Sequence, residues 1–108
     1  MPRIQGSRPR VIGDISIYPI GEGTSVGRYV REAFHAMESV HGVRLVPGAM
    51  STVIEAENLP AMLTAVRKAH ARLLQLGAQR IAINLRIDHR LDKPETIEYK
   101  VRAVKAKL

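Results

Sequence analysis

From Ile81 to Asp88 the chain alternates without interruption. Ile81, Ile83, Leu85 and Ile87 fall on one side; Ala82, Asn84, Arg86 and Asp88 fall on the other. Side chains of a strand point to opposite faces with period two, so this stretch reads as a strand with one apolar and one polar face. Wound as a helix, the same residues would scatter around the axis and leave no face to bury. The strand makes two demands. Some layer must cover the isoleucines, and an amide, a guanidinium and a carboxylate must meet water, another subunit or a ligand.

The neighbouring segments supply the layer. Val11 to Pro19 reads as a strand with Ile15 and Ile17 on one face and Asp14, Ser16 and Tyr18 on the other. A glycine-rich loop, Gly21 to Ser25, leads into a helix that Thr24 or Ser25 can cap. Its stripe is Val26, Val30, Ala33, Phe34, Met37 and Val40, and Gly42 stops it. Val43 to Val46 is a short strand, Pro47-Gly48 a turn, and Met50 to Ala56 a further strand. On that strand Met50, Thr52 and Ile54 are expected to face the core, and Ser51, Val53 and Glu55 the other side. Asn58 caps a second helix that carries Leu59, Leu63, Val66, Ala69, Leu73 and Leu76 and closes at Gly77. After the alternating strand, Arg80 to Asp88, a charged corner (His89 to Pro94) starts a third helix from about Pro94. Asp92 and Glu95 stand at capping-box spacing, and the stripe is Ile97, Val101, Val104 and Leu108.

The order β-α-β-β-α-β plus a helix predicts an α+β, ferredoxin-like fold: a four-stranded antiparallel sheet, two helices on one face, and an extra C-terminal helix. Residues 1–10 read as a flexible basic arm and 11–108 as one domain. The sheet face away from the helices would then hold Asp14, Ser16, Tyr18, Ser51, Val53, Glu55, Ala82, Asn84, Arg86 and Asp88. Directed hydrogen-bonding groups with small residues between them suit a polar heterocycle or a wet interface.

Composition narrows the function classes. The 108 residues carry a formal net charge of +7, which favours an anionic partner. Nucleic acid is nevertheless not the expected partner. Domains of this strand order that bind RNA stack bases on aromatic residues of the middle strands, and Met50 to Ala56 has none. The absence of cysteine excludes disulfides and thiolate metal sites and fits a cytoplasmic protein. No apolar run approaches the ~18 residues of a membrane span. The basic start has no apolar core behind it, so a secretory signal is not expected. The four histidines share no ligand spacing, and no metal is expected. No nucleophile elbow, HExxH or catalytic cysteine is present, and no enzyme is expected. The loop Gly21 to Gly27 offers helix-start amides to a phosphate but lacks the Walker lysine.

The segments ISIYPIGEGTSVGRYV, PGAMSTVIEAE and, above all, IDHRLDKPETIEYKV resemble the thiamine-binding protein family, over about residues 11 to 108. The corner Arg90, Asp92, Lys93 followed by Thr96, and the helix start Thr24-Ser25-Val26, carry the resemblance. It implies a cytosolic homodimer or homotetramer, binding of thiamine or its hydroxymethylpyrimidine part, and no catalysis. By position it brings in the Tyr18-Pro19 strand end, Thr24 to Val26, Thr52 to Glu55 and the Arg90 to Lys93 corner. The chain departs from the family in its basic arm, in Glu22, and at Ala49-Met50-Ser51.

The expectation is thus a non-enzymatic small-molecule-binding protein that takes a thiamine-like pyrimidine as ligand and needs no cofactor. Asn84, Ser16 and Glu55 would meet the polar edge of the ring. Tyr18 would pack on it, and amides near Thr24 and Ser25 would meet a phosphate or hydroxyl. Thr52 and Arg86 complete the candidate set. The alternative is a ligand-free structural or regulatory homo-oligomeric module whose polar sheet face and third helix serve only as interfaces.

Overall fold

The computed structural model of the protein describes residues 10–108; the segment read as a basic arm lies outside them, except for Arg10. Seven elements follow one another: β1 (Val11–Pro19), α1 (Gly27–Glu38), β2 (Val43–Pro47), β3 (Thr52–Ala56), α2 (Leu59–Gln75), β4 (Ile81–His89) and α3 (Ile97–Lys105). The sheet order is β2-β3-β1-β4, and every neighbouring pair is antiparallel. This is the ferredoxin-like arrangement expected from the order of the elements.

The registers fix the two faces. Ile15 lies opposite Leu85 and Ile17 opposite Ile83, while Ser16 faces Asn84 and Asp14 faces Arg86. On the other flank, Gly13 pairs with Ile54 and Ile12 with Glu55. Thr52 and Ile54 therefore share the helix face, and Val53 and Glu55 the opposite one. Val11, Ile15, Ile54, Met37, Met62 and Leu73 are the largest fully buried side chains and form the core between the sheet and the α1–α2 layer.

Local chemistry explains most boundaries. Asn58 caps α2, its Oδ1 accepting from the Ala61 N–H at 2.8 Å, with a proline in the first turn. At the other end Gly77 takes φ +92°, which glycine adopts without strain. The Ala78 N–H then reaches back to the Leu73 carbonyl at 3.1 Å and that of Gly77 to Leu74 at 3.0 Å, which satisfies two orphan carbonyls.

Several sequence expectations are corrected. The buried face of α2 is Met62, Ala65, Ala69 and Leu73, whereas Leu59 and Leu63 are exposed. The sheet selects the small and flexible residues, because they let the helix approach closely. α1 begins at Gly27 with Val26 at its cap position and no side-chain cap, so neither Thr24 nor Ser25 caps it. The cap of α3 is Thr96, whose Oγ1 accepts from the Tyr99 N–H at 3.1 Å. Asp92 instead accepts from Arg90 Nε at 2.5 Å. Of the α3 stripe only Ile97 is buried; Val101, Val104 and Leu108 are exposed. Finally, β3 starts at Thr52, two residues later than its period-two pattern suggests.

Candidate ligand-binding notch

The late start of β3 leaves a gap beside the central strand. β1 runs on to Pro19 against β4, but its last rung with β3 is Ile15 opposite Thr52. The direction of the main chain beyond that rung follows from alternation. The Ile20 N–H donates to the Arg80 carbonyl at 2.8 Å, towards β4. Successive residues of a strand turn their N–H and C=O to opposite edges, so Tyr18 and Ser16 also address β4. Ile17 and Ile15 address the β3 side. Ile15 has Thr52 there; Ile17 has no strand residue opposite it. The β2–β3 hairpin has already turned, since the Gly48 N–H donates to the Ser51 carbonyl at 2.9 Å. Its tip, Ala49-Met50, makes no rung with β1. No side chain or loop main-chain group among the described residues bonds the Ile17 N–H or C=O.

A cavity of about 190 Å³ fills the gap, lined by Ile15 to Tyr18 of β1, Val26, Val30, Ala33 and Met37 around α1, and the hairpin from Gly48 to Thr52. The α1 side chains make an apolar roof. Ser16, Tyr18, Ser51 and Thr52 bring hydroxyls. Ser16 and Tyr18 belong to the sheet face away from the helices, whereas Ile15, Ile17 and Thr52 belong to the helix face. The cavity is thus bordered by β1 residues of both parities. Next to it lies a depression of about 350 Å³ lined by Asp14, Ser16, Met50, Ser51, Asn84, Leu85 and Arg86. Ser16, Met50 and Ser51 are common to both spaces.

The depression is charged but internally matched. Arg86 donates to both carboxylate oxygens of Asp14, through Nε at 3.0 Å and Nη2 at 2.6 Å, and Ser51 Oγ adds a third bond at 3.2 Å. The Arg86 hydrogen bond holds the Asp14 carboxyl below its usual range. The Arg86 side chain remains 84% exposed and can meet a second anion. Asn84 Nδ2 lies 3.4 Å from Ser16 Oγ, a long contact that leaves the amide free to turn.

The eight residues singled out from the sequence therefore divide into four groups. Ser16, Tyr18 and Thr52 line the cavity. Asn84 and Arg86 line the depression outside it. Thr24 and Ser25 lie exposed in the β1–α1 loop, which is tethered where Tyr29 Oη donates to Glu22 Oε1 at 3.0 Å. Glu55 is elsewhere. It is 6% exposed at the opposite end of the sheet. Its Oε1 accepts from the Ile97 N–H at 2.9 Å and from Arg44 Nη2 at 3.0 Å, and Arg10 Nη1 lies 3.6 Å from its Oε2. With its oxygens engaged in fixing the start of α3, Glu55 cannot meet a ring in the notch. Val26, Ala33 and Met37 were assigned to the α1 stripe, but they also roof the cavity. The expected β3 start at Met50 concealed that second role. Among the described residues no group of three or more His, Asp or Glu is placed to hold a metal ion, and no helix is long and apolar enough to cross a membrane.

Fold and notch together define an α+β, ferredoxin-like protein with a cavity between β1, α1 and the β2–β3 hairpin. The chain belongs to the thiamine-binding protein family, whose model, described as "Thiamine-binding protein", matches residues 13–105. UPF0045 protein MJ1052 of Methanocaldococcus jannaschii is 36% identical over 95 residues, 88% of this chain and 92% of that protein. UPF0045 protein YqgV of Bacillus subtilis is 36% identical over 99 residues, 86% of this chain and 92% of its own. The crystal structure of the M. jannaschii protein superposes with a TM-score of 0.82 at 35% identity, covering 89% of this chain and 96% of that one. A Thermotoga maritima protein provisionally assigned to thiamine biosynthesis or salvage superposes with a TM-score of 0.72 at 26% identity, covering 89% of this chain and 99% of its own.

Proposed function

We propose that the protein is a non-enzymatic binder of thiamine or of its hydroxymethylpyrimidine part, with the pyrimidine in the notch. The cavity of about 190 Å³ carries this reading. An apolar cavity of ~150 Å³ accommodates benzene, so this one has room for a single six-membered ring with small substituents and not for two rings. The rest of a two-ring ligand would lie over the adjoining depression, with a terminal hydroxyl or phosphate near the exposed head of Arg86. Met37, Ala33 and Val30 would cover one side of the ring, and Thr52 and Ser51 would meet its polar positions. The family and the T. maritima neighbour support a thiamine-related ligand. Calorimetric titration with thiamine, thiamine phosphate and 4-amino-5-hydroxymethyl-2-methylpyrimidine is the test. Saturable one-to-one binding by at least one of them is expected, with thermal stabilisation; no heat and no shift in melting temperature with any of the three overturns the reading.

A second observation favours self-association beside ligand binding, or in place of it. β4 is an edge strand of nine residues. On its helix-facing side Ile83 and Ile87 are 37% and 42% exposed. A long edge with a half-uncovered apolar side invites pairing with a second copy. The protein is therefore read as a homodimer or homotetramer. Sedimentation equilibrium is expected to give twice or four times the chain mass, and Ile87→Lys to lower it; a monomer at micromolar concentration removes the assembly reading.

A further inference from the structure

We infer that the ring is read by the main chain of Ile17: its N–H donates to a ring nitrogen, and its C=O accepts from an amino group on the adjacent carbon. The ligand would thus take the place of the β3 residue that the sheet lacks there. This inference rests on the reading of the notch as the ring site, and it specifies the ligand edge that the site selects.

The hydroxyls around the cavity cannot select that edge. Those of Ser16, Ser51, Thr52 and Tyr18 can each donate or accept and rotate to suit either. The side chains with a fixed pattern stand elsewhere, Asn84 in the depression and Glu55 beneath α3. The fixed pattern inside the notch is the main chain. An extended residue presents N–H and C=O side by side along one edge, and its antiparallel partner answers with C=O and N–H. A ring nitrogen next to a carbon bearing –NH₂, the amidine edge of a 4-aminopyrimidine, offers the same acceptor–donor pair in one plane.

Two features of β1 make Ile17 the reading position. Ile17 is 6% exposed. Buried main-chain groups without partners are costly, so a ligand that satisfies both gains what the free protein lacks. The next residue with the same orientation is Pro19, which has no N–H. The free edge therefore offers a single donor, too little for an extended peptide to add as a strand but enough for one ring.

Three ligands and one main-chain change test the inference. The aminopyrimidine named above is titrated beside its 4-deamino and 4-methyl analogues, which keep the ring but lack the donor. The amino compound is expected to bind at least about tenfold more tightly than either. Its addition should move the Ile17 amide resonance further than those of Ile15 and Gly13, whose N–H groups address the β1–β3 ladder. A semisynthetic chain with an ester in place of the Ile17 N–H removes no ladder donor and weakens one ladder acceptor, the Ser16 carbonyl that addresses β4. It is expected to melt slightly below the parent, to keep its fold, and to lose about tenfold in affinity for the aminopyrimidine. Equal binding of the amino and deamino compounds, or an Ile17 amide as protected from exchange in the free protein as that of Ile15, overturns the Ile17 assignment and leaves the notch reading standing. Failure of all three pyrimidines to bind also overturns the Ile17 assignment, and the notch reading itself falls if thiamine and thiamine phosphate fail with them.

Discussion

At the Val11 end of the central strand, β3 runs alongside to its last residue, Ala56. There a buried carboxylate is answered by two arginines and a helix-start amide, and the first residue of α3, Ile97, is buried beside it. At the Pro19 end β3 is absent, the neighbouring hairpin has turned away, and an apolar roof stands over an unpaired main-chain edge. One strand thus has one end closed by its own chain and one end left to be closed by something else. The closed end holds its most conspicuous polar group, Glu55, for structure. The open end holds its candidate function in main-chain groups that carry no side-chain signature.

If that division is real, substitutions at the two ends should affect different measurements. The largest effect is expected from Glu55→Ala, which leaves Arg44, Arg10 and the Ile97 N–H without their shared acceptor. Breaking a buried ion pair costs ~3–5 kcal/mol, and the partial exposure of Arg44 lowers the expectation to about 2–3 kcal/mol. The midpoint of urea unfolding reports it, and ring affinity should stay within about twofold of the parent. Ala33→Leu should do the reverse. It pushes a larger side chain into the cavity roof, lowering affinity at least about tenfold while changing stability by ~1 kcal/mol, because the added atoms enter existing space. Calorimetry beside thermal melting separates the two outcomes, and a stability loss as large as that of Glu55→Ala would show the notch to be a structural joint. Asn84→Ala, at the depression and outside the cavity, is expected to weaken binding of the free pyrimidine by no more than ~threefold, a loss typical of an exposed hydrogen bond.

The smallest effect concerns acid. The Arg86 hydrogen bond depresses the Asp14 carboxyl in the folded protein. A depressed carboxylate adds stability above its unfolded pKa of ~3.9, and that increment is lost as pH falls through the folded value. Asp14→Asn should therefore lower the unfolding midpoint slightly at pH 7 and flatten its decline below about pH 4, where variant and parent converge. An equally steep acid limb in the variant would show that other carboxylates, such as Asp88 paired to Lys100 at 2.7 Å, carry it.

Much of the fold was legible because it rests on periodicity. The alternation from Ile81 to Asp88 and the parity of Thr52 and Ile54 follow from pleat geometry, and the Asn58 cap from one short side chain. The α2 face was misread because two apolar stripes exist on that helix. Leu59 and Leu63 suggest one and Met62, Ala65 and Ala69 the other, and only the distance to the sheet decides between them. The site was legible in part. Ser16, Tyr18 and Thr52 reached it through alternation and family resemblance. Glu55 did not, because its parity was right while its cover, the start of α3 at Ile97, comes from 42 positions away in the chain. The gap itself was invisible. Met50 and Ser51 continue the period-two pattern of β3, and what halts the strand is the hairpin contact between Gly48 and Ser51.

That hairpin contact has an evolutionary consequence. Two residues inserted at Ala49-Met50 would carry the hairpin one rung further, keep every side chain on its present face, and set a strand residue opposite Ile17. The chain would then supply the missing rung itself and seal the notch, with no substitution at any lining position. Among relatives of this fold, the length of one turn would then decide whether a member keeps an open notch, and a comparison of the lining residues alone would pass over the change.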